Sequence, residues 1–533
     1  MQGSILVIRF GSLGDVILTS ATVLNLKLAY PNHCLIFLTR EKYQAVVEKF
    51  HGVDKVETVP NDISAVALFR RILELDSLNF DLIVDLHGNF RSWFTRTVLS
   101  ANTKYVYPKR RLARWMVTRR NKTLPLEYPH TIDLCNQTLA QTGKSAPCRR
   151  PLMSVPTVSL QFAPLIETDR KIILVSPGAA HPNKAWPVEQ FVAVVNELGT
   201  ARRVRIIWAI TSREKHDYAL PVQISDSETI DLVDCPLDQL AAIAGRASLV
   251  LSNDSGIGHL AAAVGTPVLA LFGPTHPVLG FAPRGLRDRV TQVDEFCRPC
   301  SRHGRKPCWR EERFCFTRLS VASVVRAAGE MMDETDNLSP GLFVDRDGTL
   351  IVNKHYPADP EQVELIDGSV EALRLARQQG YKIIVVSNQS GVARGYFSYE
   401  DVERVNFRMT ALLAQHGIGV DAIYFCPHHE MKGTVPEYTV PCNCRKPAPG
   451  MAEKAALEHN LDLRRSVVIG DSMADYNLGC VVGGRSVLVR TGYGASVIEK
   501  QRELIERGGL AVAESLLHAV RQLAGERQGR SLS

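Results

Sequence analysis

Short aliphatic runs that stop abruptly in glycine, hydroxyl, amide or acidic side chains recur along this chain, and they constrain its fold more than any other feature. Residues 4–8, 81–86, 171–176, 249–252, 342–344, 382–386 and 466–470 all have this form. Such runs are too short to span a membrane and too uniformly apolar for a strand with one wet face. They suit strands covered on both sides, as in parallel sheets flanked by helices. Helix-period stretches lie between them, so the fold class is α/β. Open parallel sheets gather polar residues at the carboxyl edge of their strands, and chemistry is expected there. At about 150 residues per domain, 533 residues make three or four compact units.

The run at 342–344 leads into Asp345-Arg346-Asp347-Gly348-Thr349. Successive strand side chains point to opposite faces. Two carboxylates spaced i, i+2 therefore serve one ligand only where the chain turns directly after the strand, which Gly348 permits. A carboxylate pair at a strand end suits Mg²⁺, with one oxygen free to attack phosphorus. Asp345 and Asp347 are thus candidate Mg²⁺ ligands and catalytic groups. The run at 382–386 continues into Ser387-Asn388-Gln389-Ser390-Gly391, where Ser387 and Asn388 suit phosphate oxygens. The run at 466–470 ends in Asp471, expected to complete the Mg²⁺ shell, with Asp475 in support. Arg445 and Lys446, between these runs, supply cations against phosphate charge.

Across about residues 340–495 this set resembles the haloacid dehalogenase superfamily of phosphatases. The resemblance implies that Asp345 takes the phosphoryl group as an aspartyl-phosphate. Asp347 would protonate the leaving oxygen and later activate water. Ser387 and Lys446 would hold the phosphate, and Asp471 the metal.

The chain has 12 cysteines, opens with no basic-then-apolar leader and contains no apolar run of transmembrane length. A cytoplasmic protein is expected, whose clustered cysteines are ligands rather than bridges. Cys426-Pro427-His428-His429 and Cys442-Asn443-Cys444 offer three thiolates and an imidazole in a proline-rich stretch with little apolar material. Cys426, His428, Cys442 and Cys444 suit a closed structural Zn²⁺ site that would order this loop, with His429 competing with His428 for the nitrogen position. With the segment 387–395, the loop resembles the heptose 1,7-bisphosphate 7-phosphatases. The histidinol-phosphate phosphatases carry the same loop, and this half of the chain alone does not separate the two. Near residue 300, Cys297, Cys300, Cys308 and Cys315 would suit Zn²⁺ or an iron–sulfur centre, or stand as reduced thiols, since their spacing fits no common module.

Ahead of residue 330, the first run passes into Gly11-Ser12-Leu13-Gly14-Asp15 and an apolar helix-period stretch. A glycine-bearing turn after a strand hints at a nucleotide; plain backbone turning, with Asp15 as an N-cap, is the alternative. A second half starts at 171, continues through Asn183-Lys184-Ala185-Trp186, and reaches Asn253-Asp254-Ser255-Gly256-Ile257-Gly258-His259 and Gly273-Pro274-Thr275. Two facing α/β halves would make a cleft for a nucleotide sugar. Over about residues 3–330 these features resemble glycosyltransferase family 9, the heptosyltransferases of the lipopolysaccharide inner core. That resemblance implies a GT-B fold of two Rossmann-like lobes and an inverting, metal-independent transfer. It implies Asp15 as general base on the acceptor hydroxyl and Lys184 on the donor phosphates. Asp254, Gly256 and His259 would surround the nucleotide, and Glu214 would hold the ribose.

The expected organisation is an acceptor lobe (1–165), a nucleotide-sugar donor lobe (166–332), a polar linker (333–340), the phosphatase (341–495), and a mostly polar helix with a tail (496–533). Between Lys104 and Lys122 the chain carries eight basic residues and no acidic one, with Tyr105, Tyr107 and Trp115 interleaved. A net charge of +7 is small for this length and argues against nucleic acid as a partner. Peripheral contact with the anionic inner membrane, at a lipid-linked saccharide acceptor, fits the basic stretch better. The leading reading is a bifunctional enzyme. It would remove the 7-phosphate of D-glycero-D-manno-heptose 1,7-bisphosphate and transfer heptose from a nucleotide-heptose, ADP-heptose first among them, to a lipopolysaccharide inner-core acceptor. The alternatives are a histidinol-phosphate-type phosphatase fused to a transferase of other sugar specificity, or to a non-catalytic carbohydrate-binding scaffold.

Overall fold

The computed structural model describes residues 3–118, 128–218, 220, 223–224, 227–354 and 359–531, and the chain divides into two compact units, Met1–Asp336 and Asn337–Ser533. In the first unit, β1 (Ser4–Ile8), β2 (Cys34–Arg40), β3 (Lys55–Val59), β4 (Phe80–Asp85) and β5 (Ala101–Val106) form a parallel sheet in the order β3-β2-β1-β4-β5. A second sheet holds β6 (Lys171–Ser176), β7 (Val204–Ile210), β8 (Gln223–Ile224), β9 (Ser227–Val233), β10 (Leu249–Asn253), β11 (Val268–Phe272) and β12 (Arg289–Gln292). Its order is β12-β11-β10-β6-β7-β9-β8, parallel except where the short β8 runs against β9. β1, β10 and β11 are buried along their whole length, which is why they read as uninterrupted apolar runs. One apolar cluster runs from Val7, Val16 and Leu134 to Leu240, Ala261 and Phe272, so the two lobes share a core where they face each other. This is the two-lobed GT-B architecture.

The order of each sheet reverses at its first strand: β1 lies between β2 and β4, and β6 between β7 and β10. At such a reversal the connecting helices leave on opposite faces and open a crevice beyond the strand ends. Residues 9–15, 177–184 and 254–259 all follow these strands.

The second unit is a single parallel sheet of β13 (Ser339–Val344), β14 (Lys382–Asn388), β15 (Ala422–Cys426), β16 (Leu461–Gly470), β17 (Arg485–Val489) and β18 (Val512–Ala513), ordered β15-β14-β13-β16-β17-β18. It has the haloacid dehalogenase-like form. Its reversal falls at β13, so the segments leaving β13, β14 and β16 are neighbours.

Two boundaries differ from the sequence expectation. Met332 is buried within the helix Val321–Glu334 and Ser339 already opens β13, which leaves only residues 335–338 between regular elements. Of residues 496–533, expected as a polar helix and tail, the described part, 496–531, completes the sheet and core of the second unit. β18 pairs with β17, and the helix Leu516–Ser531 buries Leu516, Ala519, Val520 and Leu523 in the core. That helix lies beside Ser369–Gln378, where Arg521 pairs with Glu371 at 2.6 Å. Its apolar stripe is narrow, spaced i, i+3, i+4, i+7, and the polar residues on the remaining faces mask it in the sequence. Leu523→Ala should lower the stability of the second unit by about 2–3 kcal/mol. Denaturant unfolding followed by phosphatase activity checks this; an unchanged midpoint would detach the helix from the core.

Candidate active sites

Asp15 is the third residue of the helix Leu13–Leu18, whose N-cap is Ser12. Its Oδ2 accepts from Ser12 N at 3.3 Å and Ser12 Oγ at 3.0 Å, and meets Arg9 Nη2 at 2.8 Å. Arg9 is buried and donates through Nε to the Gly11 carbonyl at 3.0 Å and through Nη1 to the Leu86 carbonyl. Burial works against ionising Asp15, but the Arg9 guanidinium and Ser12 outweigh it and hold the carboxyl below its usual range. At neutral pH it is therefore a carboxylate, able to accept a proton from a hydroxyl brought against it.

Asp15 stands where two cavities, about 560 and 650 Å³, adjoin. The first is also lined by Lys184, Glu214, Asp254, Gly256 and His259, so every residue expected of the transferase meets in one place. Lys184 Nζ lies 2.7 Å from Asp254 Oδ2, to which Thr275 Oγ1 also donates at 2.8 Å. Glu214 accepts from Thr211 N at 2.8 Å and Thr211 Oγ1 at 2.9 Å, capping its own helix Ser212–Asp217 and fixing its carboxylate at the cavity wall. The helices Leu13–Leu18 and Gly256–Ala263 meet at glycines: a Cβ on Gly14 would stand 2.5 Å from His259 Cδ2. Burial pushes the His259 imidazole below its usual pKa, so the ring is neutral. The second cavity gathers Arg9, Arg40, Lys42, Lys109, Arg114 and Arg302, with Asp15 the one acid among the described residues that line it.

In the second unit, the strand ends bring together the oxygens of Asp345, Asp471 and Asp475, all within 4.8 Å of one another. The buried Lys446 reaches into them, with Nζ 2.6 Å from Asp345 Oδ1 and 2.5 Å from Asp475 Oδ1, and donates to the Val386 carbonyl at 2.7 Å. Three carboxylates face one ammonium. Burial, reinforced by repulsion from Asp475, raises Asp345 well above the usual carboxylate range and pushes Asp471 up to about 6. Hard oxygen donors with surplus negative charge fit a divalent cation such as Mg²⁺. Gly348, at φ +80°, makes the approach possible, since a Cβ there would lie 2.3 Å from Asp471 Oδ2.

Two residues sit differently from the sequence expectation. The Asp347 carboxylate, expected on the metal, lies outside the cluster, 3.0 Å from Arg346 Nη2, and accepts from Gln389 Nε2 at 2.7 Å and Ser387 Oγ at 3.4 Å. The cause is Arg346, which is buried, anchored on Asn406 Oδ1 at 2.8 Å, and draws its neighbour toward it. Asp475 occupies the third place in the cluster. Asn388, expected on phosphate, instead clamps the Lys446 peptide, accepting from its N–H at 2.9 Å and donating to its carbonyl at 3.1 Å. It positions the lysine. Arg445 Nη1 donates to the His428 carbonyl at 3.3 Å.

In the cysteine loop, Cys426 Sγ is 3.7 Å from Cys442 Sγ and 3.1 Å from Cys444 Sγ; His428 Nδ1 is 3.6 Å from Cys426 Sγ and 3.2 Å from Cys444 Sγ. Tetrahedral Zn²⁺ with bonds of about 2.0–2.3 Å has donor–donor edges of about 3.5–3.8 Å, so these four atoms are close to ligand positions. His429 is outside the set, its Nδ1 accepting from the N–H groups of Met431 and Lys432. Among the described residues, Cys297, Cys300, Cys308 and Cys315 form no such group. Cys300 and Cys308 donate to the carbonyls of Pro274 and Glu312, Arg310 donates to Cys297, and Cys315 is buried in the apolar core.

Sequence reasoning passed over several contributors. Arg302 and His303 line both of these cavities yet come from the second cysteine-rich segment, outside the motifs that mark the transferase in the sequence. Arg9 lies inside the first motif, but nothing in its spacing announces a pair with Asp15.

Family models match the chain in both units. Glycosyltransferase family 9 (heptosyltransferase) covers residues 68–310, polynucleotide kinase 3 phosphatase covers 342–479, and HAD-hydrolase-like covers 443–519. The D-glycero-beta-D-manno-heptose-1,7-bisphosphate 7-phosphatase of Yersinia pestis is 41% identical over 154 residues, 29% of this chain and 81% of that protein. The same enzyme of Pasteurella multocida (strain Pm70) is 43% identical over 159 residues, 29% of this chain and 84% of that protein. A solved glycosyl transferase family 9 structure from Veillonella parvula DSM 2008 aligns with TM-score 0.49 at 21% identity, over 63% of this chain and 99% of that one. At 41% and 43% identity over 81% and 84% of those two phosphatases, and with its carboxylate cluster and cysteine loop in place, the chain belongs to the heptose-1,7-bisphosphate 7-phosphatase family of haloacid dehalogenase enzymes and carries ahead of it a glycosyltransferase family 9 (heptosyltransferase) domain.

Proposed function

We propose that this chain is a bifunctional enzyme of lipopolysaccharide-core assembly. The second unit removes the C7 phosphate of D-glycero-β-D-manno-heptose 1,7-bisphosphate, and the first transfers heptose from a nucleotide-heptose, ADP-heptose first among the candidates, to an inner-core acceptor. The observation that carries this reading is the union, in one polypeptide, of a phosphatase close to heptose-bisphosphate enzymes and a heptosyltransferase-family cleft with its base at the junction of two cavities. Both halves then handle one sugar, which favours heptose over histidinol phosphate.

In the phosphatase, Asp345 attacks phosphorus, the bond from phosphorus to the C7 oxygen breaks, and an aspartyl-phosphate forms. Asp347, oriented by Arg346 and Gln389, gives the departing oxygen its proton. It then takes a proton from the water that releases phosphate and restores Asp345. Ser387 Oγ and Lys446 Nζ hold the phosphoryl oxygens. Asp345, Asp471 and Asp475 would hold Mg²⁺, which when bound offsets the repulsion between carboxylates and phosphate. Cys426, His428, Cys442 and Cys444 would hold Zn²⁺, ordering the loop that carries Arg445 and Lys446. In the transferase, Lys184 and the amides opening the helix Gly256–Ala263 face the donor diphosphate, with Glu214 on the ribose. Asp15 takes the proton of the acceptor hydroxyl as its oxygen attacks the anomeric carbon. The bond to the diphosphate breaks, and the configuration inverts.

Three outcomes are expected. Asp345→Asn should lower phosphate release from heptose 1,7-bisphosphate by about three orders of magnitude while transfer continues; release at the parent rate would assign the nucleophile elsewhere, and a parent that prefers histidinol phosphate would break the link between the halves. Metal analysis should find zinc bound, and its removal by chelation, or Cys442→Ser, should lower both phosphatase activity and the melting temperature of the second unit without loss of transfer; full activity in zinc-free protein would remove the metal from the loop. For the transferase, the base form of Asp15 persists above a depressed pKa, so the acid limb of the pH–rate profile should lie below the usual carboxylate range. Arg9→Lys should keep it there, and Arg9→Leu should move it upward, because burial would then act unopposed. An unmoved limb in Arg9→Leu would show that Arg9 does not set the base.

A further inference from the structure

We infer that Arg302 is the cation that receives the donor's departing diphosphate, carried into the cleft by a braced loop, residues 293–313; the assignment rests on the transferase reading above. Among the described residues that line the first cavity, Lys184 and Arg302 are the cations, against Asp15, Glu214, Asp234 and Asp254. Lys184 is committed, with Nζ 2.7 Å from Asp254 Oδ2. Asp15 is matched by Arg9, which is outside this lining. A diphosphate entering here meets more acids than cations and needs a positive group of its own. Arg302 is half-buried and makes no ion pair or hydrogen bond among the described residues.

The loop, rather than a partner, fixes its place. Between β12 and the helix Phe314–Thr317, residues 293–313 hold no helix or strand. Connections of that length inside compact units are uncommon and mark functional segments. This one is braced. The buried Arg298 donates through Nε to the Gly273 carbonyl and through Nη2 to the carbonyls of Phe272 at 3.1 Å and Thr275 at 2.9 Å. Glu295 is held by Arg310 at 2.6 Å and by Arg318 at 2.7 Å. Toward the tip, Asn183 Nδ2 donates to the Lys306 carbonyl at 2.9 Å, and a Cβ on Gly304 would collide with Lys184 Cγ. The tip therefore sits on the lysine assigned to the diphosphate, and Arg302 lines both cavities from there. A further group points to a ligand in the first cavity. Ser255, N-cap of the helix Gly256–Ala263, makes no cap bond, and among the described residues its buried Oγ has no partner. A diphosphate oxygen can accept from such a hydroxyl and from the amides behind it.

As the acceptor oxygen attacks, the bond from the anomeric carbon to the diphosphate oxygen breaks, and its electron pair leaves with that oxygen. Asp15 takes the acceptor proton, so the outer phosphate gains a negative charge that no proton offsets. A guanidinium offers forked N–H donors to that phosphate. An interaction that strengthens as the charge grows lowers the barrier.

The test is calorimetric titration of the full chain with the diphosphates and monophosphates of adenosine, guanosine and uridine, for the parent, Arg302→Gln, Arg302→Lys and Arg305→Gln. Arg305 is exposed on the same loop, donates to His181 Nε2 at 3.3 Å and is absent from the lining of both cavities. Arg302→Gln should bind the preferred nucleoside diphosphate about ten- to hundredfold more weakly, with little change for its monophosphate, which lacks the outer phosphate. Arg302→Lys should recover part of that loss, and Arg305→Gln should match the parent. In transfer from the nucleotide-heptose, Arg302→Gln should lower kcat about a hundredfold, more than it raises the donor KM. An unchanged melting temperature of the first unit shows that the variants fold. Equal diphosphate affinity in Arg302→Gln and the parent would overturn the inference. So would an equal loss in Arg305→Gln, which would make the effect one of general charge. A raised acceptor KM with diphosphate affinity intact would also overturn it and move Arg302 to the acceptor side. A parent that binds none of these nucleotides would overturn it together with the transferase reading. Diphosphate binding that Arg302→Gln loses, in a protein that transfers no heptose, would defeat the heptose reading and leave Arg302 on the diphosphate.

Discussion

A strand buried on both faces has no room for polar side chains except at its ends, and all three sheets of this protein are built mainly of such strands. Each sheet reverses direction at its first strand, so the crevice beyond that strand is the one place where polar groups from several segments can converge without cost to the core. Asp15 and Asp345 follow the reversal strands β1 and β13, and Asp254 follows β10, which lies beside the reversal at β6. The covering of the strands is therefore the structural condition for the sites.

The two sites solve opposite electrostatic problems. In the transferase cleft a buried cation, Arg9, is committed to the backbone and to one carboxylate, and it keeps Asp15 ionised in surroundings that would otherwise neutralise it. In the phosphatase, Lys446 is one cation among Asp345, Asp471 and Asp475, and burial with mutual repulsion raises the carboxylates. That surplus charge would draw a divalent ion to these oxygens. Asn388 helps to hold that balance, since its amide clamps the backbone of the lysine.

The cysteine loop and the carboxyl-terminal helix illustrate two ways of holding polar sequence in place. The loop has few apolar contacts of its own, and its four donor atoms come to near-tetrahedral spacing. The helix Leu516–Ser531 is also rich in polar residues, but a narrow stripe of Leu516, Ala519, Val520 and Leu523 is enough to dock it. Burial, rather than composition, decided its place.

Read from the sequence, the α/β class, the three strand-end motifs of the phosphatase and the grouping of Cys426, His428, Cys442 and Cys444 were legible because each depends on residues close together in the chain. A turn after a strand, a C-x-H or a C-x-C carries its geometry in its spacing. The transferase residues were legible through resemblance, and their meeting in one cavity required the fold. Tertiary structure alone decided that Asp475 rather than Asp347 joins Asp345 and Asp471, because the buried Arg346 competes for Asp347. It decided that His428 and not His429 faces the three thiols, and that Arg302 and His303 reach both cavities from a distant cysteine-rich segment. Local sequence determines which chemistries a strand end can offer; which partner each side chain takes is settled only when segments hundreds of residues apart compete for the same buried space.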